Sequence, residues 1–310
     1  RVPDIGADGV DVTIVIAQRL TDSSLFARKL ATARVVTCAA PDYLRKRGIP
    51  FRPQDLVHHE CLSHSIAQFQ DWHFETDEGV VSITSRAKIF VDDIAFLRAA
   101  ALDGLGIAMF PEPLVDADLA AGTLHRVLDD FQSIELTISA LHMHGQKAPA
   151  SVRAFLDHLA EWFKTPRWGQ ASRPPPQPRG PARGVQTFPM TEQDIRRLQA
   201  VASLYEAVDP EGASRLRRTL ARAKPTLPAK IPRSTVTMNS RVVCRDAAGR
   251  ERELSLVYPW DVRPHRVSVM SEEGLALLGR SVGSTFEAGD RPMDIVALPY
   301  QPEAAGDHHL

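Results

Sequence analysis

The sequence predicts two domains, an α/β domain followed by a helical hairpin and a smaller α+β domain. Its 310 residues are enough for two domains that each bury a core. Before residue 166, strand patterns alternate with helix patterns, which is typical of an α/β sheet. After residue 189, helical spacing gives way to an alternation of period two, which indicates helices followed by strands.

The segment between the two domains, residues 166–189, is rich in proline and arginine. It holds seven of the 23 prolines, four arginines and no acidic residue. Because proline fixes φ and lacks a backbone N–H, neither a helix nor a strand ladder can run through PPPQPRGP. The composition favours a solvated, semi-stiff linker. A ligand for an aromatic groove and a basic arm that touches nucleic acid are the open alternatives.

Charge, cysteines and hydropathy exclude several classes of protein. Residues 1–163 contain 15 basic and 22 acidic residues, a charge of −7, which is unlike a nucleic-acid-binding surface. Cys38, Cys61 and Cys244 are odd in number and widely spaced, so they indicate a reducing, cytoplasmic location and no disulfide framework. No run approaches 18 apolar residues, so no membrane span is predicted.

The predicted elements of the first domain follow one another at short intervals. Strands are expected where β-branched residues cluster, and helices where apolar residues recur at helical spacing. The predicted strands are Val10–Ile16, Arg34–Ala39, a pair formed by Val80–Ile83 and Ala87–Val91, then Gly106–Phe110 and Ile134–His142. The predicted helices are Pro41–Arg47, a single turn at Arg52–Val57, IAFLRAAALDG from residue 94, and Ala150–Phe163.

Six stretches of the first domain occur in an order that is typical of one protein family. They are DGVDVTIVI, DSSLFARKL, APDYLRKRGIPFRPQDLVHHECL, VDDIAFLRAAALDGLGIAMFP, LAAGTLHRVL and SVRAFLDHLAEWF. On these stretches, residues 5–163 resemble the effector-binding (substrate-binding) domain of LysR-type transcriptional regulators, and we set the domain at 1–165. The resemblance implies a periplasmic-binding-protein-like fold, with a small-molecule cleft between two α/β subdomains. The family's winged helix-turn-helix, linker helix, and first strand and helix of this domain are expected to be missing, so the domain would be truncated, with no direct DNA-binding domain in the chain.

The resemblance places an effector site at two positions of the first domain. Ser63, His64 and Ser65 follow the HHECL strand, and Asp92 and Asp93 precede the helix after VDD. A helix N-terminus presents free N–H groups that suit a carboxylate effector. The charges of Asp92 and Asp93 would repel such a ligand, and capping of the helix is the alternative role for this pair. A polar loop without a ligand is the alternative for Ser63 and Ser65.

No catalytic or metal site is predicted in the first domain. The candidate metal ligands would be His58, His59, Cys61 and His64. Adjacent histidines point apart on a strand and no fourth ligand is evident, so structural histidines fit better. No G-x-S-x-G motif or dinucleotide-binding loop occurs. We therefore predict a protein that is not an enzyme and needs no cofactor.

In the second part of the chain, two helices are predicted before the strands. The segment EQDIRRLQAVASLYEAVD after Thr191 and the segment Ala213–Lys224 show helical spacing, which predicts a helical hairpin over residues 190–225. An α+β domain over residues 226–310 follows, with the short helix Ser271–Leu278 against an antiparallel sheet. Its predicted strands are VTMNSRVVCRD, RERELSLVYP, His265–Met270, and Asp294–Tyr300 together with Phe286.

Several stretches of residues 190–310 are typical of a second family. They are STVTMNSRV, LSLVYPWD, VSVMSEEGLALLGRSVGS and the terminal YQPEAAGDHHL. This part resembles the C-terminal domain of the Gre transcript-cleavage factors, an FKBP-like fold. Within that superfamily it is similar to Rnk, the nucleoside diphosphate kinase regulator. The resemblance implies binding to RNA polymerase near its secondary channel.

The resemblance assigns two groups of residues in the second domain. The polymerase-binding surface would comprise Ser271, Glu272, Gly274, Leu277 and Gly279. The acids at the hairpin tip would be Glu206, Asp209 and Glu211. In cleavage factors, such acids reach the polymerase active site on a long coiled coil and help to hold a metal. The first helix here has about 17 residues and reaches about 25 Å, which is too short, so no cleavage activity is expected.

Two functional hypotheses follow from these resemblances. The first is a bacterial, non-enzymatic transcription regulator that binds RNA polymerase through residues 190–310. The alternative is a small-molecule effector sensor of the LysR type without its DNA-binding domain. A third interpretation is that two neighbouring genes are read as one chain, because the two families do not ordinarily share a chain and this one opens at Arg1.

Overall fold

The computed structural model describes residues 10–17, 25–65, 71–76, 79–84, 87, 89–131, 135–143, 148–164, 187–289 and 291–307. The chain divides into two compact units, Arg1–Pro175 and Pro176–Leu310. The predicted linker 166–189 lies largely outside the described residues. Its end differs from the prediction, because Phe188 and Pro189 lie in a strand of the second unit.

The first unit alternates strands with helices, as the sequence pattern predicts. Its strands are β1 (Val12–Ala17), β2 (Phe26–Ala39), β3 (Cys61–His64), β4 (Asp71–Thr76), β5 (Gly79–Thr84), β6 (Ile89–Val91), β7 (Ile107–Pro111), β8 (His125–Val127) and β9 (Glu135–His142). Its helices are α1 (Pro41–Arg47), α2 (Ile94–Leu102), α3 (Asp116–Ala121) and α4 (Ala150–Phe163), with 3-10 turns at Pro53–His58 and Glu112–Leu114.

The long strand β2 joins two parts of one seven-stranded sheet. The strand order is β1-β9-β2-β7-β3-β6, and β8 also pairs with β2. β2 pairs antiparallel with β9 as far as Arg34, and with β7 from Val35 onward. The sequence predicted a strand only over Arg34–Ala39, because the preceding residues Phe26–Ala33 include charged side chains that interrupt the β-branched pattern.

Each part of this sheet is covered by a helix with an apolar face. α2 buries Leu97 and Ala101 in a cluster with Phe110 of β7. α4 buries Val152 and Leu156 against the part that contains β9. Burial of these faces, which recur at helical spacing, stabilises the layered arrangement.

The predicted strand pair Val80–Ile83 and Ala87–Val91 is wrong as a pair. β5, which contains the first segment, pairs antiparallel with β4 in a separate two-stranded sheet. β6, which contains the end of the second segment, pairs parallel with β3 in the large sheet. β5 and β6 are neighbours in the sequence but do not pair. β6 instead pairs with β3, which lies far from it along the chain.

The described part of the second unit contains four helices, a mixed five-stranded sheet and a two-stranded sheet. Its strands are β10 (Phe188–Met190), β11 (Ala223–Pro225), β12 (Arg241–Asp246), β13 (Glu251–Val257), β14 (Arg266–Ser268), β15 (Thr285–Ala288) and β16 (Arg291–Tyr300). Its helices are α5 (Glu192–Tyr205), α6 (Pro210–Leu220), α7 (Glu272–Leu277) and α8 (Pro302–Ala305), with 3-10 turns at Pro228–Lys230 and Pro259–Asp261.

The five-stranded sheet of the second unit has the order β14-β13-β12-β16-β15. Its pairs are antiparallel except β13 and β14, which are parallel. The prediction of an antiparallel sheet is therefore wrong at this edge. The 3-10 turn after β13 and the residues that follow it bring β14 back alongside β13 in the same direction.

Side-chain caps begin both helices of the α5–α6 pair. The Thr191 hydroxyl accepts the N–H of Asp194 at 3.0 Å, and the Asp209 carboxylate accepts the N–H of Gly212 at 2.8 Å. α5 buries Leu198 and Val201, which recur at helical spacing as predicted. It has 14 residues, fewer than the 17 expected, and is about 21 Å long.

Candidate functional site

A cavity of the first unit lies at the edge of the sheet where three parallel strands end. β3 runs parallel to β6 and to β7, so their carboxyl ends lie on one side. α2 begins directly after β6, and its N-terminus therefore lies at the same edge. In open α/β sheets, ligands bind in the crevice beyond such strand ends. Val35 of β2, where the strand changes partner, also borders the cavity.

The cavity has a volume of about 190 Å³ and a mostly apolar wall. β1 and β9 contribute to one side of it, whereas β3 and β7 contribute to the other. The lining residues are Ile16, Val35, Leu62, Ser63, His64, Asp71, Trp72, Ile94, Met109, Pro111, Leu114 and Leu136. The enclosure and apolar lining are typical of a small-molecule site with few polar contacts.

The polar groups of the lining are few and differ in burial. Ser63 is buried at 2% exposure, His64 is partly buried, and Asp71 is exposed. Among the described residues that line the cavity, none is a lysine or an arginine. Asp71 is thus the carboxylate at the wall, with no basic partner beside it in the lining that the structure describes.

The N-terminus of α2 is occupied by a side chain of the same chain. The Asp93 carboxylate accepts the N–H of Ala95 at 2.6 Å and that of Phe96 at 3.0 Å. Asp93 is therefore the N-cap, as the alternative interpretation of the Asp92–Asp93 pair held. Ile94, the first residue of the helix, borders the cavity.

The five predicted effector residues do not all reach the cavity. Ser63 and His64 line it, whereas Ser65, Asp92 and Asp93 are not among the lining residues. The Ser65 N–H donates a hydrogen bond to the carbonyl of the last residue of β6 at 2.7 Å. The assignment of the five as effector contacts stays a prediction, and the cavity favours the first two.

A buried ion pair holds one rim of the cavity in place. Arg126 of β8 donates to the carboxylate of Glu112, and their side chains are 13% and 5% exposed. Glu112 begins the 3-10 turn that carries Leu114 and follows Pro111, both of which line the cavity. Because both side chains are largely buried, their opposite charges compensate each other, and Arg126 also lies 3.6 Å from the exposed Asp129.

Sequence reasoning missed most of the cavity wall. Trp72, Leu136 and Val35 were not singled out, since each has the apolar character of an ordinary core residue. Met109 and Pro111 had a usable signal, because they end a strand of the parallel part of the sheet. Asp71 had no such signal, since its position depends on how β4 folds back toward the large sheet.

The candidate metal ligands of the first unit do not form a ligand cluster within the part of the chain that the structure describes. His59 has a structural environment instead: its Nδ1 lies 3.2 Å from the Tyr43 hydroxyl. That hydroxyl also accepts the backbone N–H of Glu60 at 2.8 Å. Burial lowers the pKa of His59 to about 4, so the ring is neutral near pH 7.

The predicted polymerase-binding residues of the second unit divide between surface and core. Ser271 caps α7 by accepting the Gly274 N–H at 3.0 Å. Glu272 is the exposed member, with 74% of its side chain accessible, and it lies 3.9 Å from Arg215. Residue 272 is therefore the position at which a charged partner could touch α7 directly.

Three of the five assigned residues have a packing role, and the assignment of the five as polymerase contacts stays a prediction. Leu277 is fully buried at 0% exposure. A Cβ on Gly274 would lie 2.0 Å from the Ser268 carbonyl oxygen, so this glycine lets α7 approach the preceding chain. Gly279 has φ +77°, and a Cβ there would lie 2.3 Å from the Phe188 ring.

The three acids predicted at the tip of the helix pair have partners within that pair. Glu206 accepts a hydrogen bond from Arg217 at 2.7 Å, which lowers the pKa of the carboxyl. Asp209 is the N-cap of α6, and Glu211 lies 3.6 Å from Arg215 one turn along the helix. Local pairing and capping account for all three acids.

Two family models match the chain, one in each unit. Residues 2–164 match the model described as LysR substrate binding domain, so the chain belongs to that family. Residues 231–292 match the model described as transcription elongation factor, GreA/GreB, C-term. The resemblance of the first half to the LysR family and that of the second half to the GreA/GreB C-terminal domain are thereby confirmed, whereas the Rnk type stays a prediction.

The curated relatives match the first unit. HTH-type transcriptional activator AaeR from Escherichia coli (strain K12) is 33% identical over 162 residues, 52% of this chain and 52% of the relative. HTH-type transcriptional regulator PtxR from Pseudomonas aeruginosa is 31% identical over 143 residues, 45% of each chain. The chain spans about half the length of the curated relatives it matches. It is thus related to LysR-type transcription regulators and has a GreA/GreB C-terminal domain.

Solved structures with similarity to the chain come from both families. The regulatory domain of CrgA, a LysR-type transcriptional regulator from Neisseria meningitidis, is 28% identical with a TM-score of 0.48, over 52% of this chain and 78% of that chain. A transcription elongation factor GreA/GreB from Nitrosomonas europaea is 31% identical with a TM-score of 0.35, over 37% of this chain and 100% of that chain.

Among the described residues, none of the helices is long and apolar enough to span a membrane.

Proposed function

We propose that this chain is a transcription regulator whose first unit binds a small-molecule effector. The observation that carries the proposal is the cavity of about 190 Å³ at the carboxyl ends of β3, β6 and β7. Its wall is apolar, and Ser63 offers a buried hydroxyl that can fix the orientation of a ligand. Effector binding is thus the first proposed function, whereas the sequence favoured RNA polymerase binding and gave effector sensing as the alternative.

A ligand screen on the full chain tests this function. A bound effector stabilises the first unit, by about 2.7 kcal/mol at a concentration of 100 Kd. Cys38 and Cys61 are buried in the first unit and Cys244 in the second, so thiol labelling during heating reports each unit separately. We expect an effector to protect Cys38 and Cys61 and to leave Cys244 unchanged.

A matched pair of variants ties the effect to the cavity. Leu114→Trp enlarges a lining residue that is 41% exposed, so the new ring can enter the cavity without disrupting the core. Leu105→Trp makes the same change at a residue that is 50% exposed and outside the lining. Protection should disappear in the first variant and persist in the second. Equal protection in both would show that the ligand binds elsewhere.

We propose as a second function that the second unit binds RNA polymerase near its secondary channel, as an FKBP-like domain of the Rnk type. The match of residues 231–292 to the GreA/GreB C-terminal model supports this proposal. The exposed start of α7 at Glu272 offers a charged contact point. The length of α5, about 21 Å, and the local pairing of Glu206 and Glu211 support a partner without transcript-cleavage activity.

A pull-down of core RNA polymerase by the full chain tests the second function. Glu272→Arg reverses the charge at the start of α7 and should weaken binding. Glu287→Arg is the control, because Glu287 is exposed and adjoins buried Phe286 on β15, so it faces away from the core side of the sheet. No retention of polymerase by the unmodified chain would reject the proposal. Leu277→Asp is unsuitable as a surface test, since it places a charge in the core.

A further inference from the structure

We infer that the cavity of the first unit selects apolar, uncharged ligands and discriminates against carboxylates. The inference rests on the proposed effector function and specifies the ligand class of that cavity. It departs from the expectation raised by a helix N-terminus at a ligand cleft, which ordinarily favours an anion. Three independent features of the cavity lead to it.

The first feature is the charge of the wall. The described lining contains the carboxylate of Asp71 and neither lysine nor arginine. A ligand carboxylate would lose hydration on entering an apolar cavity, and it would meet no lysine or arginine among the described lining residues. It would also meet the negative charge of Asp71, so transfer from water would be unfavourable for an anion.

The second feature is the state of the α2 N-terminus. The N–H groups of Ala95 and Phe96, which could hold a ligand carboxylate, already donate to Asp93. The charge of Asp93 also offsets the positive end of the helix dipole. The usual source of anion affinity at this edge is therefore taken up by the chain itself.

The third feature is the kind of polar group that the wall offers. Ser63 is 2% exposed at the end of β3, and a hydroxyl can donate to or accept from a neutral amide or alcohol. Trp72, 2% exposed, and Leu136, 1% exposed, supply flat and branched apolar surfaces. A ring with one neutral hydrogen-bonding group matches these contacts without leaving a charge unpaired.

Pairs of probes that differ in charge but hardly in shape test the inference. The probes are benzamide and benzoate, 2-naphthamide and 2-naphthoate, and 4-phenylbenzamide and 4-phenylbenzoate. Each is titrated into the full chain at pH 7.5, with calorimetry and protection of Cys61 as readouts. We expect the amide that binds best to exceed its carboxylate at least tenfold in affinity.

The outcomes separate the inference from the function on which it rests. A carboxylate that binds as well as its amide, or better, overturns the inference and leaves effector binding intact. If none of the six probes binds at millimolar concentration, both the inference and the proposed effector function are contradicted. An amide preference that persists in Leu114→Trp would place the selectivity outside the cavity and would also overturn the inference.

A charge-neutralising variant tests the role of the helix cap. Asp93→Asn keeps a residue that caps helices well and removes one negative charge beside the cavity. We expect the carboxylate probes to gain affinity several-fold and the amides to stay unchanged. Asp103→Asn removes the same charge at the exposed far end of α2 and should change neither. Equal effects of the two variants would contradict the role assigned to Asp93.

Discussion

The two units use their candidate functional residues in opposite ways. In the first unit, Ser63 and His64 border a cavity that the sheet leaves open at its parallel edge. In the second unit, Gly274 and Leu277 close the space between α7 and the sheet, and Glu272 alone of the α7 helix residues assigned to polymerase binding is well exposed. Residues assigned from a family motif can therefore border a cavity in one domain and fill the packed interior in another.

The two units also differ in how their buried charged groups are compensated. The first unit buries the Glu112–Arg126 ion pair beside its cavity, where each group compensates the other. The second unit buries Asp194, which receives a hydrogen bond from the Thr191 hydroxyl at 2.8 Å and has its pKa raised to about 6 by burial. The stability of the two units should consequently respond to different substitutions and in opposite directions to pH.

Buried cysteines make it possible to follow the units separately. Cys38 and Cys61 belong to the first unit and Cys244 to the second, and all three are buried free thiols. Their labelling by a dipyridyl disulfide, which reacts with thiols at acid pH as well, as a function of urea gives the free energy of unfolding of each unit within the full chain.

Arg126→Met should destabilise the first unit by about 3–5 kcal/mol, because it removes the cation that pairs with the Glu112 carboxylate, whose side chain is only 5% exposed. Cys38 should become reactive at lower urea, whereas Cys244 should not change. Arg126→Met combined with Glu112→Gln should recover most of the loss, since no uncompensated charge then remains. The control Arg28→Met removes a more exposed pair with Asp157 and should cost at most about 1 kcal/mol. Equal effects of Arg126→Met and Arg28→Met would contradict the prediction.

Leu277→Ala should destabilise the second unit by about 2–5 kcal/mol, because it removes a side chain with 0% exposure and leaves a cavity under α7. Here Cys244 should respond, and Cys38 and Cys61 should not. Leu227→Ala makes the same change at a residue that is 65% exposed and should cost at most about 0.5 kcal/mol. If the Leu277→Ala chain were as stable as the control chain, the result would contradict the burial of Leu277.

Lowering the pH from about 6 to 4 should stabilise the second unit and destabilise the first. Burial raises the pKa of Asp194 from 3.8 to about 6, so the folded unit binds this proton more tightly than the unfolded chain. Its contribution is present at low pH and is lost as pH rises toward 6, a change of up to about 3 kcal/mol. Burial lowers the pKa of His59 from 6.5 to about 4, so the unfolded chain binds that proton more tightly. The first unit therefore loses stability as pH falls from 6.5 toward 4.

Single substitutions should reduce each pH response separately. Asp194→Asn should reduce the dependence measured at Cys244, and His59→Gln should reduce that measured at Cys61. Part of each response should remain, because burial also lowers the pKa of His125 in the first unit and raises that of Asp261 in the second. Glu192→Gln, which removes an exposed carboxylate from the same helix α5, is the control and should leave the Cys244 profile as it is. If the free energies of unfolding of the two units changed in the same direction with pH in the unmodified chain, the prediction of opposite responses would be refuted.

Removal of a helix cap should give the smallest change in the free energy of unfolding, and the change should be similar in the two units. Asp93→Ala removes the cap of α2 in the first unit, and Asp209→Ala removes that of α6 in the second. Each should cost about 1 kcal/mol and should affect the thiols of its own unit. The corresponding Asn variants should retain most of the stability, because the amide oxygen also accepts from the helix N–H groups. A larger loss with Asn than with Ala would contradict capping as the cause.

Much of the local structure could be predicted from the sequence. Ala150–Phe163 is helical over the predicted residues, and α5 lies within the segment predicted as the first hairpin helix. These features depend on residues within a few positions of one another, which is the range that periodicity and capping patterns cover. The candidate site was predictable only in part, since Ser63 and His64 lie in the cavity and Ser65, Asp92 and Asp93 do not line it.

The remaining features depend on contacts between distant segments. The partner of β6 is β3 and not the neighbouring β5, and β14 lies parallel to β13, although nothing in their local patterns distinguishes these pairings. Trp72 enters the cavity wall because β4 and β5 form their own small sheet. Leu277 was assigned to an exposed motif, because the sequence of a six-residue helix does not show which of its faces the rest of the domain covers.

The two families and the order of most helices and strands can be inferred from the sequence, since each is specified by short-range patterns or by ordered motifs. Tertiary contacts separate the effector candidates: Ser63 and His64 line the cavity and Asp93 caps α2, whereas Ser65 and Asp92 do neither. Tertiary contacts likewise bury Leu277 and leave Glu272 exposed among the polymerase candidates. The physical reason is the same in both units: strand order and helix packing set which side of a residue is enclosed, and these are fixed by contacts far apart in the chain.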